Sequence, residues 1–137
     1  MLECVAGEGT LKPILGGMSE ALYGLMRFIV GGLFACHGAQ KLFGLLGGSG
    51  HPHGKFLIAG IVEFGGGVLI ALGLFATIAA FIAAGEMAVA YFTVHAHGGF
   101  WPIVNHGELA VAYCFVFLYI AAKGSGSYSV DAAIGKK

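Results

Sequence analysis

Charge is what this sequence has least of. Only 10% of its 137 residues are charged, well under the roughly 25% usual in soluble domains, which excludes an ordinary cytosolic domain. The charges that remain cancel, seven basic against seven acidic, so neither a nucleic-acid-binding surface nor an acidic tail is indicated. Cysteines number three, Cys4, Cys36 and Cys114, with no CxxC pair and no zinc-ligand spacing. They read as small buried hydrophobes, and no metal site is expected. The opening "MLECVAGEGTLKPILGGM" lacks the basic and continuously apolar regions of a signal peptide. Pro13 and the paired glycines Gly16 and Gly17 prevent a long helix there, so residues 1–18 are expected to form a short interfacial arm.

In place of charge there is hydrocarbon. The chain is 58% hydrophobic, with a mean hydropathy of +0.87, and this exceeds what so small a soluble core hides. Four apolar segments stand out, at about residues 20–46, 56–74, 77–96 and 106–123. Each approaches the roughly 20 residues that carry a helix across a bilayer. "GGSGHPHGK" breaks the first from the second, and "HAHGGFWPIVN" the third from the fourth. The second and third nearly touch through "GLFAT". One helix of their combined length would overshoot any membrane, so a tight hairpin capped by Thr77 is expected, with Ser19 as N-cap of the first helix. The expected fold class is all-α, a four-helix transmembrane bundle with both termini on one side, ending in a polar tail over residues 124–137. Its first partner is the lipid bilayer. Lys12, Lys123, Lys136 and Lys137 lie at the termini end with Arg27 nearby, against Lys41 and Lys55 at the other. The positive-inside rule then places both termini in the cytoplasm. Glycines 31, 32, 60, 65, 66, 67 and 73 and alanines 79, 80, 83, 84, 88 and 90 are the small residues that let membrane helices approach closely.

Polar residues in such a chain need a reason. "CHGAQKLFG", residues 36–44, places His37 and Lys41 on one face of the first helix, about 6 Å apart along its axis. Counting inward from the helix ends, a common outer half collects His37, Lys41, Glu63, His95, His97 and Glu108, with Glu86 nearer the middle. The intramembrane charges Arg27, Lys41, Glu63 and Glu86 sum to zero, as expected of groups that pair inside a bundle. Such groups cost at least about 2.5 kcal/mol each on insertion scales and default to function. Simpler readings stand beside this one. Arg27 and Lys41 are long enough to snorkel to the headgroups, and Asn105 with Glu108 has the spacing of a capping box. His51 and His53 fall in a linker, while Glu63 and Glu86 have a purely structural ion pair as their alternative.

"HGAQKLFG", "EFGGGVLIALGLFAT", "HAHGGF", "NHGE" and "GSGSYSVD" occur here in that order. Together, over about residues 22–131, they resemble the DoxX/DoxD-like family of small four-helix bacterial membrane proteins. His106 is a departure, since many relatives carry glycine there. The resemblance implies redox biology at the bacterial cytoplasmic (inner) membrane and an association with quinones; one family member is a membrane subunit of thiosulfate:quinone oxidoreductase. Carried over residue by residue, it singles out His37, Lys41, Glu63, His95, Asn105 and Glu108. A quinone takes up two electrons and two protons. His37, Lys41, His95, Asn105 and Glu108 are then expected to hold a quinone head group, with Glu63 and Glu86 as the proton-relaying, catalytic carboxylates. No flavin, iron–sulfur or haem-c motif is present, so the chain brings no electron carrier of its own. The expected function is a quinone-associated subunit of a membrane redox complex, partnered by other subunits or by copies of itself. The alternative is a non-catalytic scaffold or assembly subunit whose polar cluster is structural. A metal or b-haem site on His37, His95 and His97 is a third reading.

Overall fold

The computed structural model describes residues 11–135, and among them every regular element is helical. Residues 1–10 of the expected arm, Cys4 among them, lie outside the described residues, as do Lys136 and Lys137. Three helices are long and apolar enough to cross a membrane, Gly16–Phe43, Lys55–Leu72 and Ala76–Gly98. The first comprises a 3-10 turn, Gly16–Met18, followed by α1, Ser19–Phe43. Ser19 is therefore inside the helix and not its cap; Met18 holds that position without a side-chain bond. α1 stops short of the expected Leu46 because Gly44 turns left-handed, at φ 66, the usual glycine termination of a helix.

α2 (Lys55–Leu72) runs unbroken through a π turn at Val62–Gly66. α3 (Ala76–Gly98) closes with a second π turn, Tyr91–His95, and a 3-10 turn, Ala96–Gly98. The hairpin between them is as tight as expected, with Gly73 at φ 70 and Phe75 at φ 49. Phe75 rather than Thr77 is the N-cap, so Thr77 already sits in the first turn. A one-turn helix α4 (Pro102–Asn105) leads into α5 (Glu108–Lys123), and α6 (Val130–Ala133) ends the described chain.

The long helices form two closely packed pairs. Between α1 and α2 the contact is glycine on backbone. A methyl on Gly31 would come within 2.5 Å of the Ala71 nitrogen; one on Gly38 would strike the backbone of Phe64, and one on Gly67 the backbone of Ala35. Gly31 and Gly38 stand seven residues apart, as do Gly60 and Gly67, so two turns later each helix offers another gap on the same face. Between α3 and α5 the spacers are alanines: Ala76, Ala79, Ala80, Ala83 and Ala84 are buried in one cluster with Ala110, Phe117 and Ile120 of α5. Aromatic rings join the pairs, with Phe34 of α1 centred 4.7 Å from Phe117 and 5.3 Å from Tyr113.

The tail expected to be merely polar is part of the fold. Lys123 Nζ meets Glu20 Oε1 at 2.7 Å, which brings the end of α5 to the start of α1. The Asp131 N–H donates to the Gly73 carbonyl at 3.0 Å, and Ser129 Oγ caps α6 by accepting from the Ala132 N–H. Arg27, only 2% exposed, does not snorkel. It donates to the carbonyls of Ile70 (2.5 Å), Ala71 (2.8 Å) and Tyr128 (2.5 Å). The first two are among the last carbonyls of α2, at the negative end of its dipole, where carbonyls have no i+4 donor; the Ile70 carbonyl also accepts from the Gly73 N–H at 3.1 Å. Cys36 also departs from expectation, being exposed on the outside of α1. Its neighbours there include Phe28, Ile29 and Leu33, and Phe81, Ile82 and Phe115 are likewise exposed on α3 and α5. An apolar exterior on this scale suits lipid and not water.

The α1–α2 seam gives a stability test. Gly31→Leu should drive the helices apart and lower the unfolding temperature in detergent, since forced overpacking costs roughly 1–3 kcal/mol or more. Gly32→Leu, one position along, should leave it unchanged, because a Cβ there meets nothing within 4 Å.

Candidate functional site

The close approach at Gly38 sets up the site. It holds the Phe64 backbone against α1 and so presents Glu63 to Lys41, one turn further along α1. Lys41 Nζ bonds Glu63 Oε1. Glu63 is 2% exposed and lies inside the π turn of α2; π turns insert an extra residue and recur at functional positions. Its second oxygen, Oε2, is buried without a hydrogen-bond partner. The same is true of Glu86 Oε2 on α3, and Glu86 stands within electrostatic range of both Glu63 and Lys41.

These groups line one cavity of about 640 Å³, walled by α1, α2, α3 and α5. Its surface is mostly apolar, from Phe34, Ile58, Val62, Ile82 and Leu109. His37 also lines it, with its ring 6.2 Å from that of Tyr113 and edge-on to it. Glu63 is eight residues into α2 from Lys55, and Glu86 nine residues before His95, so the carboxylates sit about 12 Å below the loop end of the bundle. Lys55, His95 and His106 line the cavity nearer that end. Gly85, beside Glu86, faces the gap: an added Cβ would meet nothing within 4 Å.

The expected site residues thus divide. His37, Lys41, Glu63, Glu86 and His95 share the cavity. Asn105 and Glu108 do not line it. Buried Asn105 organises the loop above instead. Its Nδ2 donates to Gly99 O (2.7 Å) and Tyr91 Oη (3.1 Å), and its Oδ1 accepts from the Gly107 N–H (2.8 Å). Tyr91 in turn donates to the Phe100 carbonyl. The expected capping box is absent, because Gly107 holds the N-cap of α5 with no side-chain bond and Glu108 is exposed. His97, His51 and His53 are exposed and outside the cavity. His106, outside the expected set, does line it, at φ 59, a backbone conformation that favours glycine.

Tyr113 and Gly85 are cavity residues that the sequence reading did not pick out. Tyr113 carried a signal, since a phenol within an apolar run needs a polar neighbour. Gly85 carried none, because a glycine facing a cavity and one facing lipid look alike in sequence. At the opposite end of the bundle Arg27 and the tail make a second polar cluster. Asp131 is buried beside Ser125, whose Oγ donates to its Oδ2 at 2.6 Å.

Comparison with known proteins adds three findings. A family model described as DoxX matches residues 22–96, a span that holds His37, Lys41, Glu63, Glu86 and His95. A protein of Haemophilus influenzae described as an uncharacterized protein is 40% identical over 120 residues, covering 82% of this chain and 90% of that protein. No solved structure matches the chain.

The Lys41–Glu63 contact is open to a double-mutant cycle. Glu63→Gln alone leaves the half-buried Lys41 ammonium uncompensated and should destabilise the protein, by less than the loss seen for a fully buried charge. Adding Lys41→Met should recover more than half of that loss, read from thermal unfolding in detergent. Strict additivity of the two single effects would show that the pair is not coupled.

Proposed function

The chain belongs to the DoxX family, and from that premise we propose that it is a quinone-associated subunit of a redox complex in the bacterial inner membrane. In this reading it crosses the membrane four times with both termini in the cytoplasm. The fourth crossing is α5, whose 16 residues span about 24 Å and pack along α3. Lys12, Arg27 and Lys123 gather at the end of the bundle assigned to the cytoplasm, which favours that orientation.

One observation carries the proposal: two buried carboxylate oxygens without partners, Glu63 Oε2 and Glu86 Oε2, on residues that line a mostly apolar cavity. Intramembrane ionisable groups are expensive unless a partner or a task compensates them. The residues fit a quinone head. The cavity volume of about 640 Å³ falls within the 300–1,000 Å³ typical of ligand pockets. Apolar walls at Phe34, Val62 and Ile82 suit a ring and an isoprenoid chain, and Lys41 and His37 are available as donors to a ring oxygen. A bound quinone supplies two-electron, two-proton redox chemistry. Lys41 neutralises Glu63, while Glu86 has no ion-pair partner among the described residues and is placed to hold or pass a proton at Oε2.

A second reading has its own observation. The Lys41–Glu63 pair ties α1 to α2 as a structural lock would, which is what a scaffold subunit needs. Solvent extraction of protein purified in mild detergent separates the two. Wild type and Gly32→Leu should release quinone in near-stoichiometric amount, whereas Gly85→Leu, filling the cavity without striking protein, should release none while keeping its unfolding temperature. Wild-type protein that yields no quinone, and that added short-chain quinone does not stabilise, would leave the scaffold reading standing. For the orientation, a reporter fused after Lys137 should stay cytoplasmic and one inserted at Ser49 should be exported.

A further inference from the structure

The hydrogen-bonding inventory around Glu86 is lopsided. Polar groups share its cavity from each neighbouring helix: Lys41 and His37 from α1, Lys55 and Glu63 from α2, and Tyr113 from α5, with His95 and His106 nearer the loop end. Of the two lysines, Lys41 is already engaged with Glu63 Oε1, and Lys55 lies about 12 Å from Glu63 along α2. The two buried cavity oxygens that remain unsatisfied, Glu63 Oε2 and Glu86 Oε2, both belong to carboxylates. An ionised carboxylate only accepts hydrogen bonds, whereas a protonated one donates and would serve a carbonyl oxygen, so a preference for donor ligands belongs to ionised Glu86. A ligand offering O–H meets it with a charge-assisted bond, about twice as strong as a neutral one. A ligand offering a bare carbonyl oxygen sets lone pairs against lone pairs in a buried site and leaves both unsatisfied.

We propose that Glu86 is the specificity-determining residue of this cleft and that it selects the reduced, hydroxyl-bearing quinol over the oxidised quinone. The inference rests on the quinone reading of the cavity and adds the redox form that the cavity prefers. Three features support it. The Glu86 Oε2 atom lacks a donor from the protein. The adjoining Gly85 lines the same cavity, and a Cβ there would meet nothing within 4 Å. His37 and Tyr113 approach each other from α1 and α5 on another wall, where their N–H and O–H groups suit the lone pairs of a hydroxyl whose hydrogen is given to a carboxylate. A quinol hydroxyl both donates and accepts, so it can serve both walls at once. A quinone oxygen serves only the donor wall.

The test is anaerobic calorimetric titration of the purified protein with ubiquinol-1 and with ubiquinone-1, at about pH 8.5 so that the carboxylate is ionised. The quinol should bind about tenfold more tightly or better, the difference expected when one buried charge-assisted bond is lost. The dimethyl ether of ubiquinol-1 keeps the ring and its substituents but replaces both O–H groups by O–CH3, so it should bind no more tightly than the quinone; this needs no variant. Glu86→Gln, whose carboxamide both donates and accepts, should bring the quinol-to-quinone affinity ratio close to one. Equal affinities in the wild type, or tight binding of the dimethyl ether, would overturn the selectivity. A preference that survives Glu86→Gln would overturn the assignment to Glu86 and leave the quinone reading intact. Failure of both redox forms to bind would instead remove the quinone reading, and the selectivity with it.

Discussion

The backbone contact between α1 and α2 is the constraint on which the rest depends. Glycines at 31, 38, 60 and 67 remove the side chains that would otherwise keep the two helices apart. At that distance Lys41 reaches Glu63 across the interface. With ordinary side chains in the seam, the same two groups would face lipid or each other's flanks, and an isolated carboxylate in hydrocarbon would not be tolerated. Small residues also unite α3 with α5, but bulky rings, Phe34, Tyr113 and Phe117, lie between the pairs. Packing is therefore tight within each pair. The cavity lies where the two pairs meet.

The two ends of the bundle use buried polar groups differently. Around Arg27 most bonds are made within the protein, although Arg27 Nε has no hydrogen-bond partner. Its guanidinium takes carbonyls from the end of α2 and from Tyr128, and Asp131 and Ser129 fasten the tail to the hairpin at Gly73. A network of that kind holds the tail and the helix ends together. Around Glu63 and Glu86 the accounting is left open, with one oxygen of each unpartnered. Native proteins satisfy the large majority of buried polar atoms, so these open oxygens call for an explanation. Asn105 joins the first kind of network, although its neighbours His95 and His106 line the cavity.

Much of the bundle was legible in the sequence because a membrane reduces the choices. A run of apolar residues near 20 long can satisfy its backbone there only as a helix or in a closed barrel. The breaks at "GGSGHPHGK" and "HAHGGFWPIVN" then divide the helices. The α2–α3 hairpin followed from length alone. Helix caps were less legible. Ser19 and Thr77 are good capping residues by type, yet Met18 and Phe75 hold those positions, because the incoming chain direction is set by the 3-10 turn and by the hairpin. Grouping His37, Lys41, Glu63 and Glu86 needed only helical spacing and alternating chain direction. Asn105 and Glu108 were grouped with them by level in the membrane, which fixes height and says nothing about the direction of a side chain.

The sequence by itself determined the environment, the helical class and the level of each polar residue, since hydropathy and a 1.5 Å rise per residue are local properties. It left Arg27 free to snorkel and the tail free to dangle. Tertiary structure decided both, by bringing three carbonyls to one guanidinium from segments 43 and 101 residues away in the chain. It likewise decided that Gly38 meets backbone, that Gly85 meets empty space, and that two carboxylates on different helices share one cavity. Those are properties of helix rotation and separation. They arise from the summed packing of all the interfaces at once, and no single stretch of residues encodes them.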